Sequence, residues 1–305
     1  MKKKKLLIPI LLITFSLVFL VSAGFVIDYA LKTESHKDQY DELAQIVDKI
    51  QQEQQQQQQT QPTYPSGYTG PTVSTIPTHT FPSGYTGPTL PVPTVPVVLP
   101  SAYTEVKHPV TGEIIQVLKE YAPIFEKNSD TVGWIKIPDT YINYPVMQTP
   151  NSPNYYLDRD FYKNKSNHGC IYVNEQASVT EPSDNITIYG HKMANGSMFS
   201  DLLHYKAKQY YLDHPYIYFD TLTEHHVYQV MAVFTTSAEP GEGFAYHTFV
   251  NGNVISFADF VETCKELSIY NTGVDATYGD KLITLSTCDL PIGTKRFVVV
   301  AKQIR

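Results

Sequence analysis

Two runs near the C-terminus decide the fold: Leu282-Ile-Thr-Leu-Ser-Thr-Cys288 and, after the connection Asp289 to Lys295, Arg296-Phe-Val-Val-Val-Ala-Lys302. Both are rich in β-branched residues, and the connection carries the Asp, Pro and Gly that punctuate strands. If the two strands pair as neighbours, the connection brings the Cys288 thiol and the Arg296 guanidinium to the same end of a sheet.

Outward from this pair, similar runs recur at Gly133 to Ile137, Ile142 to Met147, Cys170 to Val173, Asn185 to Tyr189, Tyr216 to Phe219 and His226 to Thr235. Short strands of this kind predict a barrel or a sandwich. Helical segments around Met198 to Tyr205 and Ser256 to Leu267 interrupt them, the second in a long connection where it can wall a groove beside the Cys288 strand. Ile114, Ile115, Leu118, Tyr121, Ala122 and Phe125 mark one face of a further amphipathic helix, expected to pack across one side of the β domain. The catalytic-sized domain is therefore placed at 111–305.

Upstream, residues 61–110 are dense in Pro, Thr, Gly and Tyr and repeat themselves: Tyr64-Pro-Ser-Gly-Tyr-Thr-Gly-Pro-Thr72 returns as Phe81-Pro-Ser-Gly-Tyr-Thr-Gly-Pro-Thr89. Without apolar periodicity this reads as an extended disordered spacer, preferred over a binding motif, and at about 3.1 Å per residue it reaches on the order of 100 Å. Residues 28–60 carry Tyr40, Leu43, Ile46, Val47 and Ile50 at helical spacing before Gln54 to Gln59, which predicts a juxtamembrane helix and Gln-rich stalk. The stripe is short for a coiled coil, so a solvated stalk is the expectation. Residues 6–27 form an unbroken uncharged run behind the basic residues 1–5, long enough to cross a bilayer with its lysines in the cytoplasm. Val21-Ser22-Ala23 would also serve as a cleavage site, but the run exceeds the roughly 7–15 residues of a signal-peptide core, which favours an uncleaved anchor.

The 305-residue chain has a net charge of −7 and no basic stripe beyond the N-terminal lysines, so nucleic acid is excluded as a partner on electrostatic grounds. Three cysteines in an exported chain cannot form a disulfide framework, and an odd thiol invites a catalytic explanation. A cysteine nucleophile needs a thiolate, a proton source for the leaving amine and a donor for the oxyanion. Cys288 at a strand end, Arg296 opening the next strand and His191 after the strand Asn185 to Gly190 can supply them. Spacing alone makes this trio a weak signal, because a strand-end Cys is more often a small buried hydrophobe. No metal constellation stands out and no cofactor is implied; His225-His226 reads as a solvated pair in a hairpin turn.

The motifs add more. Thr284-Leu-Ser-Thr-Cys288 resembles the T-L-x-T-C signature of sortases, with Arg296 where their arginine opens the following strand. Tyr189-Gly-His-Lys-Met-Ala-Asn-Gly-Ser-Met-Phe-Ser-Asp-Leu202, Asp130-Thr-Val-Gly-Trp-Ile-Lys-Ile-Pro138 and Tyr144-Pro-Val-Met-Gln148 resemble segments of class B sortases. Several motifs in order, over roughly Ile114 to Ile304, are far more specific than one. The resemblance implies a mainly β fold, an eight-stranded sortase-type barrel with an N-terminal helix. It also implies a cysteine transpeptidase using Cys288, His191 and Arg296. Its substrates would be surface proteins with LPxTG-like or NPxTx-like sorting signals, cleaved after Thr through a thioester. The acceptor would be an amine of a cell-wall peptide or a pilin in a Gram-positive bacterium. Ser286 and Thr287, flanking the nucleophile, are expected to shape the substrate groove.

Three rivals stand beside this. His168-Gly-Cys170-Ile resembles the S-x-G-C motif of L,D-transpeptidases, but Tyr172 replaces the arginine expected two residues on, which favours a structural Cys170. Cys264, on a helical segment, is also read as packing. A hydrolase would form the same thioester and use water as acceptor. A non-catalytic surface-binding module has no need of Cys, His and Arg at three strand ends.

Overall fold

The computed structural model describes residues 2–59, 102–239, 241–289 and 294–305; the two repeats of the spacer lie outside them. The elements are α1 (Lys2–Gln59), β1 (Tyr103–Lys107), β2 (Ile114–Leu118), α2 (Ala122–Lys127), β3 (Thr131–Lys136), β4 (Asn143–Met147), β5 (Ile171–Val173), β6 (Asn185–Tyr189), α3 (Lys208–Asp213), β7 (Tyr216–Thr221), β8 (Val227–Ser237), α4 (Val254–Leu267), β9 (Leu282–Cys288) and β10 (Lys295–Gln303). The eight runs expected as strands are β3 to β10. They close into a barrel in the order β10-β8-β7-β3-β4-β5-β6-β9, which decides between barrel and sandwich.

Strand alternation divides the side chains between two cores. Ile283, Leu285, Phe297 and Val299 join the main core, whereas Leu282, Val298 and Val300 join a second cluster with Phe257, Phe260, Val261 and Cys264 of α4. Those four α4 positions recur at helical spacing, and each large side chain contributes about 1.5–3 kcal/mol on burial. Asn253 starts α4 with a capping box, its side chain accepting from the Ser256 amide while the Ser256 hydroxyl accepts from the Asn253 amide. The helix thus covers the outer face of β8, β9 and β10.

The segment before the barrel departs from expectation. Residues 114–118 form a strand, and β1 pairs with β2 antiparallel from Tyr103↔Leu118 to Lys107↔Ile114. Tyr103–Lys107, inside the stretch assigned to the spacer, is therefore a paired strand. The residues from Ile114 to Phe125 satisfy a helical face on paper, but β-branched Ile114, Ile115 and Val117 find a pairing partner in Tyr103 to Lys107. Only Ala122–Lys127 is helical, with Pro123 in its first turn, where the missing N–H costs nothing.

The stalk is not solvated either. Tyr40, Leu43 and Val47, one stripe of α1, are buried in the main core, with Ala44 and Ile46 packed beside them. The Tyr40 hydroxyl donates to the Gly169 carbonyl at 3.0 Å, and its ring meets Tyr144 edge-on at 5.4 Å. Lys136 pairs with Asp48 at 3.2 Å, and Gln54 Nε2 donates to Glu120 Oε2 at 3.2 Å. The stripe has the width of a helix that covers a sheet, and the barrel wall supplies the partner that a sequence cannot name.

His225 and His226 do lie at the β7–β8 turn, but they are not a solvated pair. His225 Nδ1 is 2.7 Å from Asp220 Oδ2 and its Nε2 3.4 Å from Glu120 Oε1. Burial pulls its pKa down, yet the bond and charge of Asp220, with Glu120, leave it net above the ordinary imidazole value. His226 is buried against Gln303, 3.0 Å from its amide. Among the described residues, no group of three or more His, Cys, Asp or Glu is arranged to hold a metal ion.

Candidate active site

Cys288 is the last residue of β9 and lies half-buried at the barrel rim. In the antiparallel β9–β10 ladder its direct register partner is Arg296. Opposite residues of such a pair project from the same face, so thiol and guanidinium stand side by side on the outer face, in line with Ser286 and Val298. The one hydrogen bond of the guanidinium among the described residues runs from Nη1 to the Lys295 carbonyl at 3.4 Å, which leaves most of its donor fork for a ligand.

The other flank of β9 is the parallel strand β6, with Tyr189 opposite Ser286. The Gly190 amide donates to the Ser286 carbonyl at 3.1 Å, so His191 emerges in step with Cys288. A Cβ on Gly190 would lie 2.5 Å from Ile171 Cδ1 and 2.7 Å from the Phe199 ring, so the close passage of this strand end requires glycine. Lys192 Nζ then donates to the Asp289 carbonyl at 3.2 Å, and Lys206 pairs with the Asp289 carboxylate. These contacts tie the residue after His191 to the residue after Cys288.

His191 Nε2 lies 2.7 Å from the Leu157 carbonyl oxygen. A carbonyl only accepts, so Nε2 carries a proton, and in the neutral ring Nδ1 is the basic nitrogen left for chemistry. Gly169 forms the floor beneath it: at φ +57, its Cβ position is 2.6 Å from the Tyr156 oxygen, 2.7 Å from the Leu157 oxygen and 3.1 Å from His191 Cδ2.

Ser286 and Thr287, expected together, are separated by the strand pleat. Ser286 shares the Cys288 face, and its hydroxyl is 2.6 Å from the hydroxyl of Tyr246 in the β8–α4 connection. Thr287 points the other way, buried opposite the core residue Phe297 with its Oγ1 unpartnered. It therefore cannot line the face that holds the thiol. Burial pushes the Tyr172, Tyr189 and Tyr246 phenols up, and the Arg296 charge offsets part of that rise.

Tyr246, Leu157 and Gly169 were not singled out by the sequence. Tyr246 sits in an irregular connection without periodicity, and Leu157 acts through a backbone oxygen that any residue would supply. The other thiols stand apart. Cys170 and Cys264 are buried, and burial pushes both well above the ordinary thiol range, with the Tyr40 hydroxyl 3.2 Å from the Cys170 sulfur. A thiol held protonated in the core cannot be the nucleophile of an L,D-transpeptidase.

A family model described as the sortase domain matches residues 135–304. Sortase B of Listeria monocytogenes is 32% identical over 180 residues, covering 59% of this chain and 70% of that protein. Sortase B of Staphylococcus aureus is 31% identical over 191 residues, covering 62% and 76%. A solved Staphylococcus aureus sortase B–substrate complex superposes with a TM-score of 0.57 at 31% identity, covering 62% of this chain and 86% of that one. Motif order, barrel topology and sequence identity agree over the same span, and the chain belongs to the sortase family of cysteine transpeptidases, in its class B branch.

Proposed function

We propose that Cys288 is the nucleophile, His191 the general acid and base, and Arg296 the oxyanion and substrate donor of a transpeptidase that anchors surface proteins. The observation that carries this is the register of β6, β9 and β10, which sets the three side chains at one rim, two of them as direct ladder partners. Cys288 Sγ attacks the carbonyl carbon of the threonine in a sorting signal, and Arg296 stabilises the oxyanion. The C–N bond breaks as a proton passes from the imidazolium of His191 to the leaving amine, and the acyl chain remains as a thioester. An acceptor amine of a cell-wall peptide or a pilin then gives up a proton to His191 and attacks that carbonyl. The C–S bond breaks and the thiolate is restored.

One N-terminal helix is long and apolar enough to cross a membrane. The lysines at its start place the N-terminus in the cytoplasm and the barrel outside, where sorting signals and cell-wall amines are found.

The test is to incubate the full chain with LPxTG-like and NPxTx-like peptides, with and without an oligoglycine amine, and to follow adducts by mass spectrometry. The expected result is a thioester on the wild type and on Cys170→Ala, none on Cys288→Ala, and a new amide when amine is added. A thioester that survives in Cys288→Ala and disappears in Cys170→Ala overturns the assignment. Release of free acid alone, with amine present, would make the enzyme a hydrolase.

A further inference from the structure

In chain order the Pro-rich segment lies between the membrane helix and the barrel, where a tether would be. The contacts arrange the three differently. α1 runs without interruption from Lys2 to Gln59, and none of its most apolar window is buried in the molecule. The same helix then enters the barrel wall through Tyr40, Leu43 and Val47. Near its far end Gln54 holds Glu120 at 3.2 Å, while the returning chain at Ala102 accepts the Lys119 amide at 2.8 Å. The chain thus leaves and re-enters beside two consecutive residues of the domain. Residues 60 to 101 therefore link two points of the chain that are already neighbours on the domain, and the distance between membrane and barrel is spanned by α1.

At His36, α1 lies beside the reactive rim. His36 Nε2 is 2.9 Å from Ser166 Oγ, and its ring stacks on His168 at 4.8 Å. The next residue is Gly169, the floor under His191. Nine residues separate Ile27 from His36, a rise of roughly 13 Å at 1.5 Å per residue.

We infer that α1 is a continuous strut carrying the barrel at a fixed, small height above the bilayer. For a substrate anchored in the same membrane, the scissile bond then has to stand at that height to reach the Cys288 rim. This rests on the reading that residues 6–27 cross the membrane and that the rim is the transpeptidase site.

Two variants of the full chain separate strut from tether. One duplicates Asp28 to Glu34, which lengthens α1 by two turns, about 10 Å, with only about 20° of rotation. The other deletes residues 66–95. Height is read in liposomes by energy transfer from a dye on Glu181→Cys to headgroup acceptors, in the Cys288→Ala background where the two remaining native thiols are buried. The strut requires a rise of about 10 Å for the duplication and no change for the deletion; a change with the deletion and none with the duplication overturns it.

With Cys288 restored, turnover of a membrane-anchored sorting-signal substrate with a short linker should fall about tenfold or more for the duplication, and recover when that linker gains a similar length. Turnover of a soluble peptide should match wild type in both variants. Equal turnover of the short-linker substrate despite a raised barrel would overturn the substrate inference. No turnover of soluble peptide by the wild type would overturn the transpeptidase reading instead, while the height measurement still decides the strut.

Discussion

Two single residues carry sharp consequences. Arg296 faces Cys288 across one rung of the ladder, and its planar fork can hold an oxyanion and a substrate carbonyl together. Lysine keeps the charge but offers a single point of donation. Arg296→Lys is therefore expected to lower kcat/KM by about 10²-fold, measured on a soluble sorting-signal peptide, with little change in melting temperature. Near-normal turnover would remove Arg296 from that role. Gly169→Ala acts through position instead: its Cβ would meet two backbone oxygens at 2.6 and 2.7 Å, one of them the Leu157 acceptor of His191. Backbone has to shift, and with it the proton-bearing nitrogen of His191. We expect a fall in kcat of about tenfold or more and an altered pH profile, since an oriented imidazole is the part disturbed. A changed melting temperature with an unchanged pH profile would show the glycine to be structural alone. The contacts that orient His191 are not legible in sequence, because a carbonyl and a missing side chain leave no trace in residue identity.

At the scale of elements, the eight staves were legible because each is a short run of β-branched and aromatic residues between breakers, and the connection between β9 and β10 put Cys288 and Arg296 at the same end of a sheet if the two paired, though the register itself was not legible. β2 was not, since Ile114, Ile115, Leu118 and Tyr121 satisfy the helical period as well as the strand, and only the partner β1 decides between them. The α1 stripe was visible at Tyr40, Leu43 and Val47, but what it covers is a tertiary fact. That contact should titrate. Burial, then the charges of His36 and His191, hold His168 neutral down to about 4, against 6.5 for a free imidazole. Below 6.5 the unfolded chain takes up a proton that the folded chain refuses, so this contribution to stability is full above that pH and is lost as pH falls toward 4. Thermal melts of wild type and His168→Gln should therefore diverge in slope between about pH 6.5 and 4, the wild type losing more. Parallel slopes would mean that His168 is protonated in the folded state.

At the scale of the whole molecule, the long N-terminal helix and the barrel are joined by side chains as well as by the chain. Tyr40, Leu43 and Val47 are each almost fully buried against the barrel, worth about 1.5–3 kcal/mol apiece, and the Tyr40 hydroxyl and the Lys136–Asp48 pair fix the docking in register. A protease site placed within residues 66–95 tests whether these contacts suffice without the covalent link. In washed membranes, cutting there should leave residues 102–305 attached and active on soluble peptide. Leu43→Asp puts a charge where no water reaches, at a cost on the order of several kcal/mol, comparable to what the other two side chains contribute together. The same cut in that variant should release the barrel to the supernatant. Release from the wild type would mean that the spacer is the attachment after all, whereas retention that depends on Leu43 makes α1 an integral wall of the enzyme and the spacer a dispensable loop for anchoring.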